Sequence, residues 1–150
     1  MMIKVNFETD VKLGSKKIII LKKRIKKKFN KIYKEFSFLK RKDIIFSILL
    51  TTSSSIKKLN YKFRKKRKLT DVLSFPLYQN NKIKKSKQKN FYIGDIALCY
   101  EILKTRAKKS DFFYEFDKLW IHGFLHLLGF VHEKNKDYKK MLSLENKILK

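Results

Sequence analysis

The chain has few of the residues that staple, kink or loosen a fold: one cysteine, one proline and four glycines in 150 residues. The single thiol, Cys99, cannot form an internal disulfide, so nothing calls for an oxidising compartment and a cytoplasmic location is expected. Its neighbours Ile96, Ala97 and Leu98 make it read as a buried strand residue. No apolar run approaches the ~20 residues that cross a bilayer. The Ile18–Leu21 run is hemmed by Lys16, Lys17, Lys22 and Lys23. The N-terminus lacks the charged, apolar and small-residue regions of a secretory leader, so no membrane partner is expected. Acidic residues are also scarce, 13 against 39 Lys+Arg, for a formal net charge of +26. Such a field favours polyanions, RNA or DNA first. An AT-rich coding sequence produces the same excess of Lys, Ile, Phe and Asn without selection for binding, so charge alone gives mild support.

With 43% hydrophobic residues, the chain can bury a real core, and one domain over residues 1–150 is expected. Alternation marks a first strand at Ile3–Phe7. From Ser15 to about Leu39, apolar residues recur at Ile18, Leu21, Ile25, Phe29, Ile32 and Phe36, a helical stripe under a lysine coat. Asp43–Leu50 is β-rich and reads as a buried strand. The Thr/Ser cluster 51–55 offers N-caps for a short helix through Asn60. Val72–Phe75 reads as a third strand, with Pro76 pointing to an edge or strand end. Residues 77–90 read as a polar loop carrying Lys82, Lys84, Lys85, Lys87 and Lys89. Tyr92–Tyr100 reads as a fourth strand running into a short helix. Ser110 or Asp111 caps a long helix through Leu128, and a final helix, Asp137–Lys150, carries Tyr138, Met141, Leu144 and Ile148 inward. The expected fold is α+β, a single layer of about four mixed strands covered by helices, with a metal-binding helix in the C-terminal half.

All three histidines fall in one window, His122-Gly-Phe-Leu-His126-Leu-Leu-Gly-Phe-Val-His132. His122 and His126 lie four apart, one turn above each other on the same helix face. Gly129 suits a left-handed helix end, after which His132 can return as a third ligand. Three protein nitrogens leave the fourth position of a tetrahedral zinc open, the arrangement of a catalytic site. One zinc ion per chain is therefore expected, on His122, His126 and His132.

This histidine window resembles the signature of the YbeY family of bacterial endoribonucleases, or rRNA maturation factors. Further segments match in order: Leu59-Asn60, then Phe63-Arg64 leading to Thr70-Asp71-Val72-Leu73-Ser74-Phe75-Pro76, then Gly94-Asp95-Ile96-Ala97-Leu98-Cys99. Met141–Leu149, including Glu145, also fits, so the match runs from about Asp43 to the end. The resemblance implies a zinc-dependent, single-strand-specific endoribonuclease in 16S rRNA 3′-end maturation and ribosome quality control. Its partners would be ribosomal RNA, the small ribosomal subunit and ribosome-assembly proteins. The same three histidines would bind the metal, and the family's functional arginine corresponds to Arg64. The chain departs from the family pattern at Val131, usually Asp, and at Arg67 and Leu69, where an Asp and a Pro are usual.

Two rivals follow from the same residues. Metzincin proteases share the histidine spacing, and Met141 can pass for the methionine beneath their zinc. They need a glutamate after the first histidine as general base, and here that residue is Gly123. The other rival is a noncatalytic ribosome-assembly RNA-binding factor that keeps zinc for structure. On the nuclease reading, Arg64 clamps a phosphate, whereas in sequence it is also one cation among Lys62, Lys65, Lys66, Arg67 and Lys68. Asp71, Ser74 and Asp95 are candidates for supporting the metal ligands or lining a substrate groove. Asp95 reads evenly as an acceptor for a ligand histidine or as a turn residue. Glu145, one turn past Met141 on the inward side, reads as a structural ion pair or cap contact.

Overall fold

The computed structural model describes residues 2–79 and 82–150. Four strands, β1 (Ile3–Thr9), β2 (Asp43–Thr51), β3 (Val72–Pro76) and β4 (Asn90–Cys99), form one mixed sheet in the spatial order β1-β2-β4-β3. β1 and β4 run parallel to β2, and β3 pairs antiparallel to β4 at the edge, where Pro76 leaves no central ladder bond unmade. Strict alternation in β2 sends Ile44, Phe46, Ile48 and Leu50 to one fully buried face. β4 reaches the same core through a bulge. Ile45 pairs with Tyr92 but Phe46 pairs with Gly94, leaving Ile93 as the extra residue. Phe91 before the bulge, Ile93 within it, and Ile96 and Leu98 after it all join the core.

The helices are α1 (Ser15–Glu35), α2 (Ser53–Arg64), α3 (Lys82–Lys85), α4 (Tyr100–Ala107), α5 (Phe112–Leu127) and α6 (Asn135–Leu149). The α+β class, the mixed four-strand layer and the placing of His122 and His126 on a helix in the C-terminal half agree with the sequence reading. α5 is the axle of the packing. Its Trp120 and Phe124 meet Phe46 of β2, with ring centroids 6.4 and 5.1 Å away, contacts worth about 0.5–1.5 kcal/mol each beyond burial. Asp117, also on α5, is buried but not unpaired. It accepts from Arg24 of α1 at 2.6 Å and from the Trp120 indole at 3.1 Å. On the opposite face α2 starts at Thr52, whose hydroxyl accepts from the Ser55 amide at 3.2 Å. Ile56 then packs on Leu73, Ala97 and the buried Cys99.

Three expectations need correction. α1 stops at Glu35, because Phe36 (φ −128°, ψ 75°) leaves helical space and a 3-10 turn, Ser37–Arg41, follows. The apolar stripe hid that break, since Phe36 itself is buried and so are Ile32 and Leu39 on either side of it. The segment 77–90 is not all loop: α3 forms in it around the buried Ile83, while residues 80–81 lie outside the described residues. Tyr138 does not point inward. It is 56% exposed, and Met141 and Ile148 supply the buried stripe of α6.

Candidate metal centre

Asp111, not Ser110, caps α5, its carboxylate accepting from the Tyr114 amide at 2.9 Å. The other end of this helix shapes the site. Gly129 adopts φ 102°, its N–H donates to the His126 carbonyl at 3.0 Å, and the Phe130 N–H donates to the Leu125 carbonyl at 3.1 Å. That pair of bonds is a Schellman ending, open to glycine at little cost. It turns the chain back, so His132 approaches the two helical histidines. One ring nitrogen from each of the three lies within 4.8 Å of the others.

The tautomers follow from what each ring touches. The Nδ1 of His126 lies 2.8 Å from the Phe130 carbonyl, which can only accept, so that nitrogen carries the proton. The Nδ1 of His122 lies 2.5 Å from Oε1 of Glu145, and a carboxylate likewise only accepts. Both Nε2 atoms are then left to face each other at 3.1 Å. Burial, with help from the neighbouring His122, holds His126 down to about 4, against an ordinary value of 6.5. At neutral pH its Nε2 is therefore a lone pair. A divalent ion about 2.0–2.1 Å from each nitrogen satisfies such a set. The donor chemistry fits a metal.

Beside the histidines lies a cleft of about 280 Å³, lined by Arg64, Ser74, Tyr78, His126, Phe130 and Val131 among others. Arg64 ends α2, and Lys65 after it turns left-handed at φ 57°. The Arg64 guanidinium donates to the Ser74 carbonyl at 3.1 Å, and its charge is among those that depress His126. Ser74 is 6% exposed and its hydroxyl donates to the Gly123 carbonyl at 3.3 Å, tying β3 to α5. Gly123 itself faces the sheet. A Cβ there would lie 2.7 Å from Cγ2 of Ile96, so the residue after the first histidine presents nothing to the metal side.

The other candidates separate. Asp71 pairs with Arg106 at 2.9 Å, towards the start of β3. Asp95 is exposed, takes a hydrogen bond from the Tyr92 hydroxyl, and lines a groove with Ser47, Phe63 and Leu77. Glu145 holds the ligand-histidine contact for which Asp95 was a candidate. Its carboxylate meets the His122 ring at Nδ1 and takes a hydrogen bond there. Residues that sequence reasoning passed over also meet here: Tyr78 and the Phe130 carbonyl. No sequence signal marks a backbone carbonyl, but the carboxylate of Glu145 within an apolar stripe was a visible one.

Among the described residues no helix is long and apolar enough to cross a membrane. The chain matches the family described as Endoribonuclease YbeY over residues 10–150, so the likeness starts well before Asp43. A Pelagibacter ubique protein named Endoribonuclease YbeY is 44% identical, over 99% of this chain and 95% of its own length. Proteins of the same name from Buchnera aphidicola and Thermodesulfovibrio yellowstonii are 37% and 33% identical, over 93% and 97% of this chain and 88% and 92% of their own lengths. The solution structure of a Thermotoga maritima protein superposes with a TM-score of 0.58 at 29% identity, covering 99% of this chain and 87% of that one. Family match, sequence identity and shared fold agree: the chain belongs to the YbeY endoribonuclease family.

Proposed function

We propose that this protein is a zinc-dependent endoribonuclease that cuts single-stranded RNA, with His122, His126 and His132 as metal ligands and Arg64 as the phosphate clamp. The observation that carries the metal site is the pair of Nε2 atoms 3.1 Å apart, with both Nδ1 atoms already committed to acceptors. Neutral imidazoles and an open fourth position suit zinc. When bound, the ion supplies hydroxide at neutral pH and polarises a phosphoryl oxygen. Glu145 and the Phe130 carbonyl hold two of the rings in register. Arg64, steadied by the Ser74 carbonyl, keeps donors free for phosphate oxygens and offsets charge that builds in the transition state. Gly123, packed on Ile96, supplies no base, which argues against peptide hydrolysis.

Family membership and the +26 charge support ribosomal RNA as substrate. On this reading the enzyme acts in the cytoplasm at the 3′ end of 16S rRNA, on the small subunit, in maturation and quality control. Asp71, Ser74 and Asp95 would act on the strand or the fold and not on the ion. The deciding experiment compares parent and His122→Ala protein for metal content, RNA binding and cleavage at saturating single-stranded RNA. The expected variant binds RNA nearly as well but loses bound metal and almost all cleavage. Equal cleavage by both would hand the site to a noncatalytic RNA-binding role.

A further inference from the structure

A strong concentration of positive charge surrounds a cavity away from the histidines. A cleft of about 640 Å³, larger than the one beside the metal centre, opens between the 3-10 turn Ser37–Arg41 and the segment 84–89. Lys40, Arg41, Lys84, Lys87 and Lys89 line it, and among the described residues no carboxylate does. Like charges lining one cleft repel one another. Something must hold the two segments together, and Lys42 does so. It is only 6% exposed, and its ammonium donates to the carbonyls of Ser86 at 2.6 Å and Gln88 at 3.1 Å. It also sits 5.1 Å from the Phe91 ring centre. Lys42 is thus a structural clamp, and the exposed cations above it are left for a ligand.

A chain of packed side chains runs from this cleft to the metal centre. Tyr78 lines the cleft of Arg64 and His126, and its ring meets Phe91 edge-on at 5.3 Å. Phe91 in turn carries Lys42, the floor of the basic cleft. A half-buried Phe38 lines that cleft too, offering a face on which a base can stack. A linear polyanion with aromatic bases fits the accessible Tyr78 and Phe38 rings and the exposed cations between them better than a small anion does.

We propose that this cleft is a second phosphate-binding subsite, which grips the backbone of single-stranded RNA beyond Tyr78 while the scissile bond lies at the histidines. It rests on the RNA-cleaving reading above, extending that site to a longer strand. The test compares parent protein with two triple variants of equal charge loss. One is Lys84→Gln/Lys87→Gln/Lys89→Gln in the cleft. The other is Lys16→Gln/Lys23→Gln/Lys27→Gln on the exposed side of α1. Binding by fluorescence anisotropy and cleavage are measured on RNAs of about 16 and about 4 nucleotides, the span of single-strand site sizes. The cleft triple should weaken long-RNA binding at least about tenfold, and the short RNA less than about threefold. Its log–log salt slope should fall by about 2, at roughly 0.7 for each phosphate no longer neutralised by the protein. The α1 triple should change both RNAs alike and slightly. Equal losses in the two triples would mean a diffuse field and overturn the subsite, as would equal loss of long and short RNA in the cleft triple. Tripolyphosphate is the third probe: loss of its binding in the cleft triple with RNA binding intact would reassign the cleft to small anions and overturn the proposal. A parent protein that binds but never cuts would sink the nuclease reading alone, because the binding arms still decide the subsite.

Discussion

Replacing Glu145 separates a metal-orienting carboxylate from a helix-packing one. Its Oε1 is 2.5 Å from Nδ1 of His122, and the two side chains are 17% and 28% exposed. Water reaches both partners, so the contact has the strength of a screened, charge-assisted hydrogen bond and not of a buried ion pair. Such partners behind a ligand histidine change metal affinity about 10–100-fold. Glu145→Gln keeps an acceptor but loses the charge, and should weaken zinc binding about tenfold, or about 1.4 kcal/mol. Glu145→Ala frees the ring to turn and should approach 100-fold, about 2.8 kcal/mol. Competition titration against a chelator of known affinity measures both variants, with melting of the metal-free proteins as a second readout. A merely structural contact between α5 and α6 predicts the opposite pattern: lower melting temperature with unchanged zinc affinity. That result would refute the orienting role.

Arg64→Ala should leave metal content and melting intact while cutting RNA cleavage sharply, and Arg64→Lys should recover only part of it, since lysine lacks the planar fork; equal rates in all three proteins would return Arg64 to the surface cations. Gly123→Ala puts a methyl 2.7 Å from Cγ2 of Ile96, an overpacking that costs about 1–3 kcal/mol, and urea denaturation showing no loss would mean the sheet yields there. In metal-free protein, His126 titrates at about 4 when folded and near 6.5 when unfolded, mainly through burial. As pH falls from 6.5 towards 4 the unfolded chain takes up the extra proton, so stability should fall across that window. His126→Gln should flatten that part of the dependence, and parallel curves for the two proteins would show that the ring is not held neutral.

What the residues revealed in advance was whatever local period writes down. The stripe of α5, its N-terminal cap, the glycine ending and the β-rich run of β2 are each complete within a few turns or residues, and all appear where expected. The failures came from register and from distance. Asp95 shares the parity of Phe91 and Ile93, so strict alternation aims it at α5 and the histidines. The extra residue at the bulge reverses that parity, sending Ile96 inward and Asp95 to the open face. A one-residue slip in a strand always does this, and nothing in Tyr92-Ile93-Gly94-Asp95 beyond the glycine announces it. Glu145 meets His122 across 23 residues, through the docking of α6 on α5. Its inward position was legible and its partner was not. The break at Phe36 was hidden because the buried stripe runs through it unbroken.

The same geometry couples the metal to the fold. Packing α6 on α5 brings a carboxylate to one ring, and closing α5 with a Schellman turn brings a carbonyl to the next. Each contact fixes a proton on Nδ1 and so leaves an acceptor on the inner side of the ring. Without an ion the two Nε2 atoms, 3.1 Å apart, have only a proton to share between them, and burial works against that proton on His126. Unmet polar groups of this kind cost free energy in the folded state and nothing in the unfolded chain. A cation that binds the folded set removes that cost and adds its own binding free energy, so stability should rise with metal concentration as the logarithm of one plus the ratio of metal concentration to Kd. The contacts that would orient the metal ligands are thus the ones that close α5 and seat α6.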